Sequence, residues 1–435
     1  MDVRKAALKA LIKIIEKNDS FDKILNFYSG KVLVSSELSG LLTGTIRNKL
    51  TIDFFIQNIS TRKLKDLSYQ VRNALRLAIF ELEFLKTHDY AVLNSYVEIV
   101  KQYDKKEGAF VNGVLRNFIR KNSEISFPEI EENPVYAISV KYSHPEWLIK
   151  KWIHNYGIDE TIKICKYNNL SPKLVIRVNT LKISKQELAN FLKKHDVHFF
   201  DDRIVNDCLV IYHYGSVKEI PGFKEGYWIV QSESSCLVSI VLDPQKNEEI
   251  LDLCAAPGGK TTHIAALMSN KGKIKAIDIN PERLIKLKDN CKRLGADLVE
   301  IETADALKYK TKEKFDRILI DTPCSNTGVF ARRADARWKK SPSDIENLAK
   351  LQLEILNNAA NFIKPGGIIV YSTCSIEPEE NQEVIRKFLE YRKDFKPDKI
   401  APYLTWEIDE DKGYFQILQS RQNIDGFFIA RLRFV

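Results

Sequence analysis

The chain has 435 residues, which at ~150 residues per domain suggests about three domains, and its 44% hydrophobic content is that of an ordinary globular protein. A formal net charge of +9 favours an anionic partner, nucleic acid among them, without proving one. Lys9 and Lys13 break the first apolar stretch, no run nears the ~20 apolar residues of a membrane span, and the seven scattered cysteines contain no C-x-x-C pair. These features speak against a signal peptide, a membrane anchor, a disulfide framework and a zinc site, and leave a reducing cytoplasm as the expected compartment.

Residues 1–130 read as an all-α domain. Apolar residues recur at helical spacing in "RKAALKALIKII", "VRNALRLAIFELEFL" and "VLNSYVEIVKQY". Arg72, Arg76, Lys101, Arg116 and Arg120 could line a basic face there, against the plainer reading of a solvated helix surface. Proline and acidic residues at 127–134 mark a linker. Residues 131–240 then read as two helices ("EWLIKKWIHNYG", "IDETIKICKYN") and a small α/β module. Its expected strands are "KLVIRVNTL", "CLVIYHY" and "YWIVQS", with a helix capped by Ser184 between the first two.

From 241 to 435 strands and helices alternate. "EEILDLCA", "KIKAIDI", "LVEIETAD", "FDRILIDT" and "GGIIVYST" are apolar strands separated by helical segments, which predicts a parallel, Rossmann-like sheet covered on both faces. Ligands of such sheets bind at the carboxyl ends of the strands.

The first of these strands runs into "LDLCAAPGGKTT". Gly258 and Gly259 allow a sharp turn and close backbone approach to a ligand. A Walker A loop is excluded because Cys254 stands where its first glycine must be, and G-x-G-x-x-G is absent. The second strand ends at Asp278, about 20 residues past the turn, where a carboxylate can accept both hydroxyls of a ribose. The third ends at Asp305, within reach of an adenine edge. Three such features in order predict an adenosine site. The fourth strand ends in "DTPCSNTG" and the fifth in "YSTCS", so Cys324 and Cys374 are expected side by side, ~4.8 Å being the spacing of paired strands. Cys165, Cys208, Cys236 and Cys291 read as inert core thiols.

"LDLCAAPGGKTTHIA", "DINPERL", "AD", "DTPCSNTG" and "YSTCSIEPEEN" together resemble the ordered motifs of RNA cytosine-5 methyltransferases that use S-adenosylmethionine. The N-terminal stretch, with "VLNSYVEIVK" and "FVNGVLRNFIR", resembles the NusB-like domain that fronts bacterial small-subunit rRNA members of the Sun/RsmB type. The resemblance covers essentially the whole chain, with "PKLVIRVNT", "WIVQSESS" and "DGFFIARL" also matching.

It implies a class I methyltransferase domain, S-adenosylmethionine as cofactor, and a flipped or single-stranded cytosine of small-subunit rRNA as substrate. That rRNA would be protein-free or in early assembly, and the enzyme a monomer by default. The implied cofactor residues are Cys254, Ala255, Ala256, Pro257, Gly258, Gly259, Lys260, Asp278, Arg283, Asp305 and Asp321. Cytosine C5 is a poor nucleophile until a thiolate adds at C6. The residues alone do not say which cysteine attacks, since DNA cytosine-5 enzymes use a Pro-Cys thiol. The resemblance assigns attack to Cys374 and product release to Cys324.

Asp321 could bond the cytosine edge or the cofactor, and Lys260 could touch the base or lower a thiol pKa. Asn326 departs from the small residue usual in the family. Arg332, Arg333, Arg337, Trp338, Lys339 and Lys340 are expected to contact RNA by charge and stacking, with Arg177 and Asn179 as weaker candidates. A transfer-RNA enzyme of the same chemistry is the nearest alternative, and a non-catalytic RNA-binding assembly or antitermination factor the other. The absence of an N-P-P-Y strand end argues against an amino-methylating relative.

Overall fold

The computed structural model describes residues 2–32, 35–212, 215–408 and 410–435. The chain divides into two compact units. The first comprises residues 1–170 together with Phe330–Lys339, and the second Ser171–Val329 with Lys340–Val435.

The first unit is helical. Its core forms where the apolar faces of Val3–Leu11, Ser35–Arg47, Lys49–Ile59, Tyr69–Glu83, Asp89–Lys101 and Lys105–Lys121 meet. Two expected members of a basic face are internal instead. Arg76 is buried and ion-paired to Asp53 at 2.7 Å, and Arg72 to Glu16 at 2.6 Å, whereas Arg116 and Arg120 are exposed. Helices Pro134–Tyr142, Glu146–Tyr156 and Ile158–Asn168 also belong to this unit, although the sequence reading opened the middle module at 131. The first of the three had no assigned element, because "VYAISVKY" is rich in residues that also suit strands. The signal was Asn133, whose side chain caps the helix, followed by Pro134 in its first turn.

The segment Phe330–Lys339 is part of the same unit, and its geometry corrects an expectation. Arg337 is fully buried rather than displayed to RNA. It donates to the carbonyls of Arg47 (3.1 Å), Ser143 (2.9 Å) and Asn168 (3.0 Å) and to Asn169 Oδ1 (2.9 Å). Trp338 is half-buried against the helical core, its indole N–H given to Ile46 O at 2.8 Å and Lys49 lying over its ring. Lys339 is held by Asp335 at 3.1 Å and by Asp19 O at 3.2 Å. Arg333 remains largely in solvent, 3.0 Å from Asp22, and Arg332 and Lys340 are half-buried. A planar five-donor guanidinium suits this converging set of carbonyls, which would otherwise be buried acceptors without partners.

The second unit carries two sheets. The smaller is antiparallel, in the order β2 (Phe199–Asp201), β3 (Cys208–Ile211), β1 (Leu174–Val178), β4 (Trp228–Val230). His213 and Tyr214 of the expected strand "CLVIYHY" lie outside the described residues. Helix Lys185–Lys194 starts at Ser184, where Ser184 and Glu187 form a reciprocal capping box.

The larger sheet contains β5 (Glu249–Leu253), β6 (Lys273–Asp278), β7 (Val299–Thr303), β8 (Phe315–Asp321) and β9 (Ile363–Thr373), all parallel in the order β7-β6-β5-β8-β9. It does not stop there. β10 (Phe395–Pro397), β11 (Tyr414–Ile417) and β12 (Phe427–Phe434) extend it, and β12 lies antiparallel on β9. The all-parallel expectation is therefore corrected to a mixed sheet. Strand order reverses between β5 and β8, which fixes the crevice at their carboxyl ends as the ligand position.

Replacing Arg337 with Ala strands three buried carbonyls, at about 1–3 kcal/mol each before relaxation, and the half-buried Asn169 Oδ1. Thermal unfolding of the Arg337→Ala protein is expected to fall by several degrees. An unchanged midpoint would mean that the guanidinium is dispensable to the helical unit.

Candidate active site

The β5 strand ends in a turn built on left-handed backbone, with Cys254 at φ +62° and Gly258 at φ +98°. A side chain at Gly258 would meet Leu287 as well as the unfavourable φ. Gly258 caps helix Gly259–Leu267. Asp278, nearly fully buried, closes β6 onto this turn: Oδ2 accepts from Ala256 N at 3.1 Å and Oδ1 from Asn280 N at 2.9 Å. Arg283 reaches both partners, 3.7 Å from the Asp278 carboxylate and hydrogen-bonded to the Ala256 carbonyl. Asp305, just past β7, accepts from Leu307 N at 3.0 Å. A cavity of about 500 Å³ opens between these strand ends, walled by Asp278, Asp305, Ala306 and Leu307 and by Ile279, which is 65% exposed.

The opposite wall is formed by the loops after β8 and β9. Asp321 pairs with Ser372 in the parallel register, and the two loops leave the sheet together. Cys324 Sγ and Cys374 Sγ are 3.0 Å apart. Cys324 is buried and Cys374 half-buried. The hydrogen bond to Cys374, and then burial, pushes the Cys324 thiol well above its ordinary range. Burial, with Asp278 next, pushes Cys254 up to about 12, which leaves it neutral. Lys260 Nζ sits 2.6 Å from Asp321 Oδ2, while Ser372 Oγ donates to Asp321 Oδ1 at 2.8 Å. Lys260 also lies over the Phe427 ring, 5.2 Å from its centroid. Beneath the turn, burial raises Asp252 to about 7, its Oδ2 accepting from Thr261 at 2.6 Å.

Behind the two thiols stands Glu380, a residue to which the sequence reading gave no role. Its fully buried carboxylate accepts from Ser325 N (2.8 Å), Ser325 Oγ, Ser375 Oγ (2.6 Å) and Gln352 Nε2 (3.0 Å). Ser325 and Ser375 each follow one of the cysteines directly, so one carboxylate ties both cysteine loops together. Charge-assisted bonds of this kind are the stronger ones. In sequence "SIEPEEN" reads as solvated acidic surface, and only the fold hides the carboxylate five residues past Ser375 from water.

Arg177 and Asn179 are not free for RNA. Arg177 is buried and donates to Gly259 O at 2.7 Å, to Thr262 Oγ1 at 3.2 Å and to Gln231 Oε1. It braces the helix that follows the glycine turn. Asn179 is also buried and bonds the carbonyls of Gly226 and Leu294, both at 2.8 Å. The four core cysteines are free and buried, with Cys208 and Cys236 thiols 3.6 Å apart.

A left-handed glycine turn, a carboxylate bonded to that turn at the next strand end, an acidic third strand end and an apolar floor suit an adenosine ligand. The acidic wall formed with Asp321 suits one that carries positive charge, as a sulfonium does. The fold and this site define a class I S-adenosylmethionine-dependent methyltransferase domain with two adjacent thiols.

Comparison with known proteins carries the assignment further. Residues 239–433 match the family model described as 16S rRNA methyltransferase RsmB/F, residues 1–120 the NusB family, and residues 144–218 the RsmF/B-like ferredoxin-like domain. The chain is 37% identical to the probable ribosomal RNA small subunit methyltransferase B of Bacillus subtilis (strain 168), covering 99% of this chain and 98% of the relative. It superposes on the solved structure of PH0851 with a TM-score of 0.82 at 30% identity over 99% of both chains. It superposes on NSun6 from Pyrococcus horikoshii, solved with SFG, with a TM-score of 0.61 at 26% identity, over 67% of this chain and 98% of that one. The chain belongs to the RsmB/F family of ribosomal RNA small subunit methyltransferases. Among the described residues no helix is long and apolar enough to cross a membrane.

Since Glu380 positions both thiol loops, Glu380→Gln is expected to slow methyl transfer to rRNA by about 10²-fold, the scale of a small misplacement of reacting groups. Cofactor affinity, measured by calorimetry, should stay within about threefold, because Glu380 lies off the cofactor wall. A parallel loss of cofactor affinity would point to general unfolding instead.

Proposed function

We propose that the chain methylates C5 of a specific cytosine in small-subunit rRNA through a covalent bond between Cys374 and C6. The observation that carries this reading is the 3.0 Å approach of Cys324 and Cys374 in the same cavity as Asp278 and Asp305. A target base entering that cavity would be held out of its stack, since C6 cannot be reached within a paired helix.

In this reading Asp278, Asp305, Arg283 and the turn Cys254–Lys260 hold S-adenosylmethionine, which when bound supplies an electrophilic methyl group. Cys374 is the more exposed thiol and the one open to a base in the cavity. As thiolate it bonds to C6, and the displaced π pair builds on C5, making that carbon the nucleophile. After methylation water entering the open cavity takes the proton from C5, its bonding pair restores the C5–C6 double bond, and the C6–sulfur pair returns to Cys374. Cys324, held neutral by the neighbouring thiol and burial, donates its S–H to the departing sulfur and so assists release. Asp321, fixed by Lys260 and Ser372, is oriented to accept from the cytosine amino group, and Lys260 balances its charge.

Of the RNA contacts expected after β8, Arg333 keeps the exposure that phosphate binding needs, and Arg116 and Arg120 of the helical unit join it on the same ground. A monomer acting on protein-free or early-assembly rRNA is the simplest working form.

Incubation with labelled S-adenosylmethionine and protein-free small-subunit rRNA, followed by mapping of 5-methylcytosine, is expected to give one modified cytosine. Cys374→Ala should abolish incorporation, and Cys324→Ala should accumulate a covalent protein–RNA adduct on denaturing gels. Swapped phenotypes would reverse the two roles. Incorporation into transfer RNA but not rRNA would overturn the substrate.

A further inference from the structure

Asn326, two residues past Cys324, stands in left-handed backbone at φ +65°. Asparagine is among the few residues with a side chain that adopt this conformation readily, which is why it can replace a glycine there without straining the loop. Its amide is held at both ends. Nδ2 donates to Cys324 O at 3.0 Å, and Oδ1 accepts the Cys374 S–H at 3.2 Å. The orientation is determined by chemistry. Only the NH₂ end can meet the Cys324 carbonyl, so the amide oxygen must face the Cys374 sulfur.

An acceptor aimed at a thiol favours the protonated form, since a hydrogen bond made only by the neutral group opposes ionisation. We propose that Asn326 guards the nucleophile: in the free protein its amide oxygen holds the Cys374 S–H in one orientation, and attack by that sulfur requires the amide to release it. The inference rests on the reading of Cys374 as the attacking residue, and it adds to that reading a device that suppresses thiolate chemistry while the cavity lacks a base.

Other groups also face this thiol. Cys324 lies at 3.0 Å as a neutral neighbour, and Asp321 shares the cavity wall with Lys260 ion-paired to it at 2.6 Å. Asp278, Arg283 and Asp305 line the same cavity, as does Cys254, and Glu380 stands behind the loop with its carboxylate satisfied by Ser325, Ser375 and Gln352. None of these groups belongs to residue 326, so each variant removes or alters only the amide itself.

The test needs neither RNA nor turnover. Full-length protein is alkylated with iodoacetamide across a pH series, and modification of the Cys374 peptide is followed by mass spectrometry. Asn326→Gly keeps the left-handed backbone and removes the acceptor. It is expected to move the alkylation profile to lower pH and to raise the rate at a fixed pH below the midpoint by about threefold or more. Asn326→Asp replaces the amide oxygen with a charged acceptor and should move the profile the other way. A glycine variant whose profile superimposes on the parent overturns the proposal, and so does an aspartate variant that leaves the rate unchanged, should the glycine protein fail to fold. Cofactor binding by calorimetry monitors folding. Loss of rRNA methylation with the alkylation shift intact would count against the cysteine–C6 reading and not against the guard.

Discussion

The parallel pairing of β8 with β9 is the constraint on which the rest of the site depends. Five successive pairs, from Arg317 opposite Ile368 to Asp321 opposite Ser372, set the register, and Thr322 N extends it to Ser372 O at 3.1 Å. Because side chains alternate with period 2, a slip of one residue would turn Ile318, Leu319 and Ile320 out of their layers and carry Asp321 away from Ser372. The flanking strands forbid that slip, since β8 is also paired to β5 and β9 to β12. Beyond the sheet the loops stay joined by Gly328 N to Cys374 O at 3.0 Å and Gly426 N to Gly328 O at 2.8 Å. Gly328 is required there, because a Cβ would stand 2.1 Å from the Gly426 carbonyl oxygen. The 3.0 Å between the thiols is therefore the end point of a ladder that begins in the buried core.

The charges of the crevice follow from the same geometry. Strand ends in a parallel sheet converge, so Asp278, Asp305 and Asp321 gather around one cavity. Each is stabilised locally: Asp278 by two backbone amides, Asp305 by one, and Asp321 by Lys260 and Ser372. Asp252, with no such donors beyond Thr261 and fully buried, is instead pushed up to about 7. Burial is the largest cause of the Asp252 shift, and the single Thr261 bond opposes it. A carboxylate at a strand end meets the free amides of the following turn, while one inside the strand has its neighbours' amides already spent on the ladder.

Most of the catalytic unit was legible. Apolar runs separated by helical periods gave the parallel core, and strand-terminal chemistry marked Cys254, Asp278, Asp305, Asp321, Cys324 and Cys374, all of which line one cavity. The C-terminal strands were not read, because β10 and β11 are short and β12 joins the main sheet by pairing with β9, a contact across more than fifty residues. Helix Glu233–Leu242 was missed for the opposite reason. "ESSCLVSIVL" is buried nearly all round, so it carries no amphipathic period to detect. Glu380 was passed over because an acidic residue in a run of three reads as solvated surface, and only tertiary structure reveals four donors converging on it.

The basic residues teach the complementary lesson. Arg76, Arg177 and Arg337 look in sequence like members of a phosphate-binding surface, and each is buried and spent on internal acceptors. A net charge of +9 therefore does not measure the charge available to a polyanion. Guanidinium groups are the residues most apt to be taken inside, because a planar fork of five donors can satisfy several carbonyls at once and is less strongly hydrated than an ammonium. Lysines differ. Lys260 is buried only as far as one carboxylate and one aromatic face allow. An RNA surface for this chain is thus to be sought among cations that keep their water, and Arg337, close to the motifs in sequence, is a poor guide to it. The adjacency that made Arg337 persuasive, thirteen residues past Cys324, reflects a chain that leaves the catalytic unit after Val329 and returns to it at Lys340.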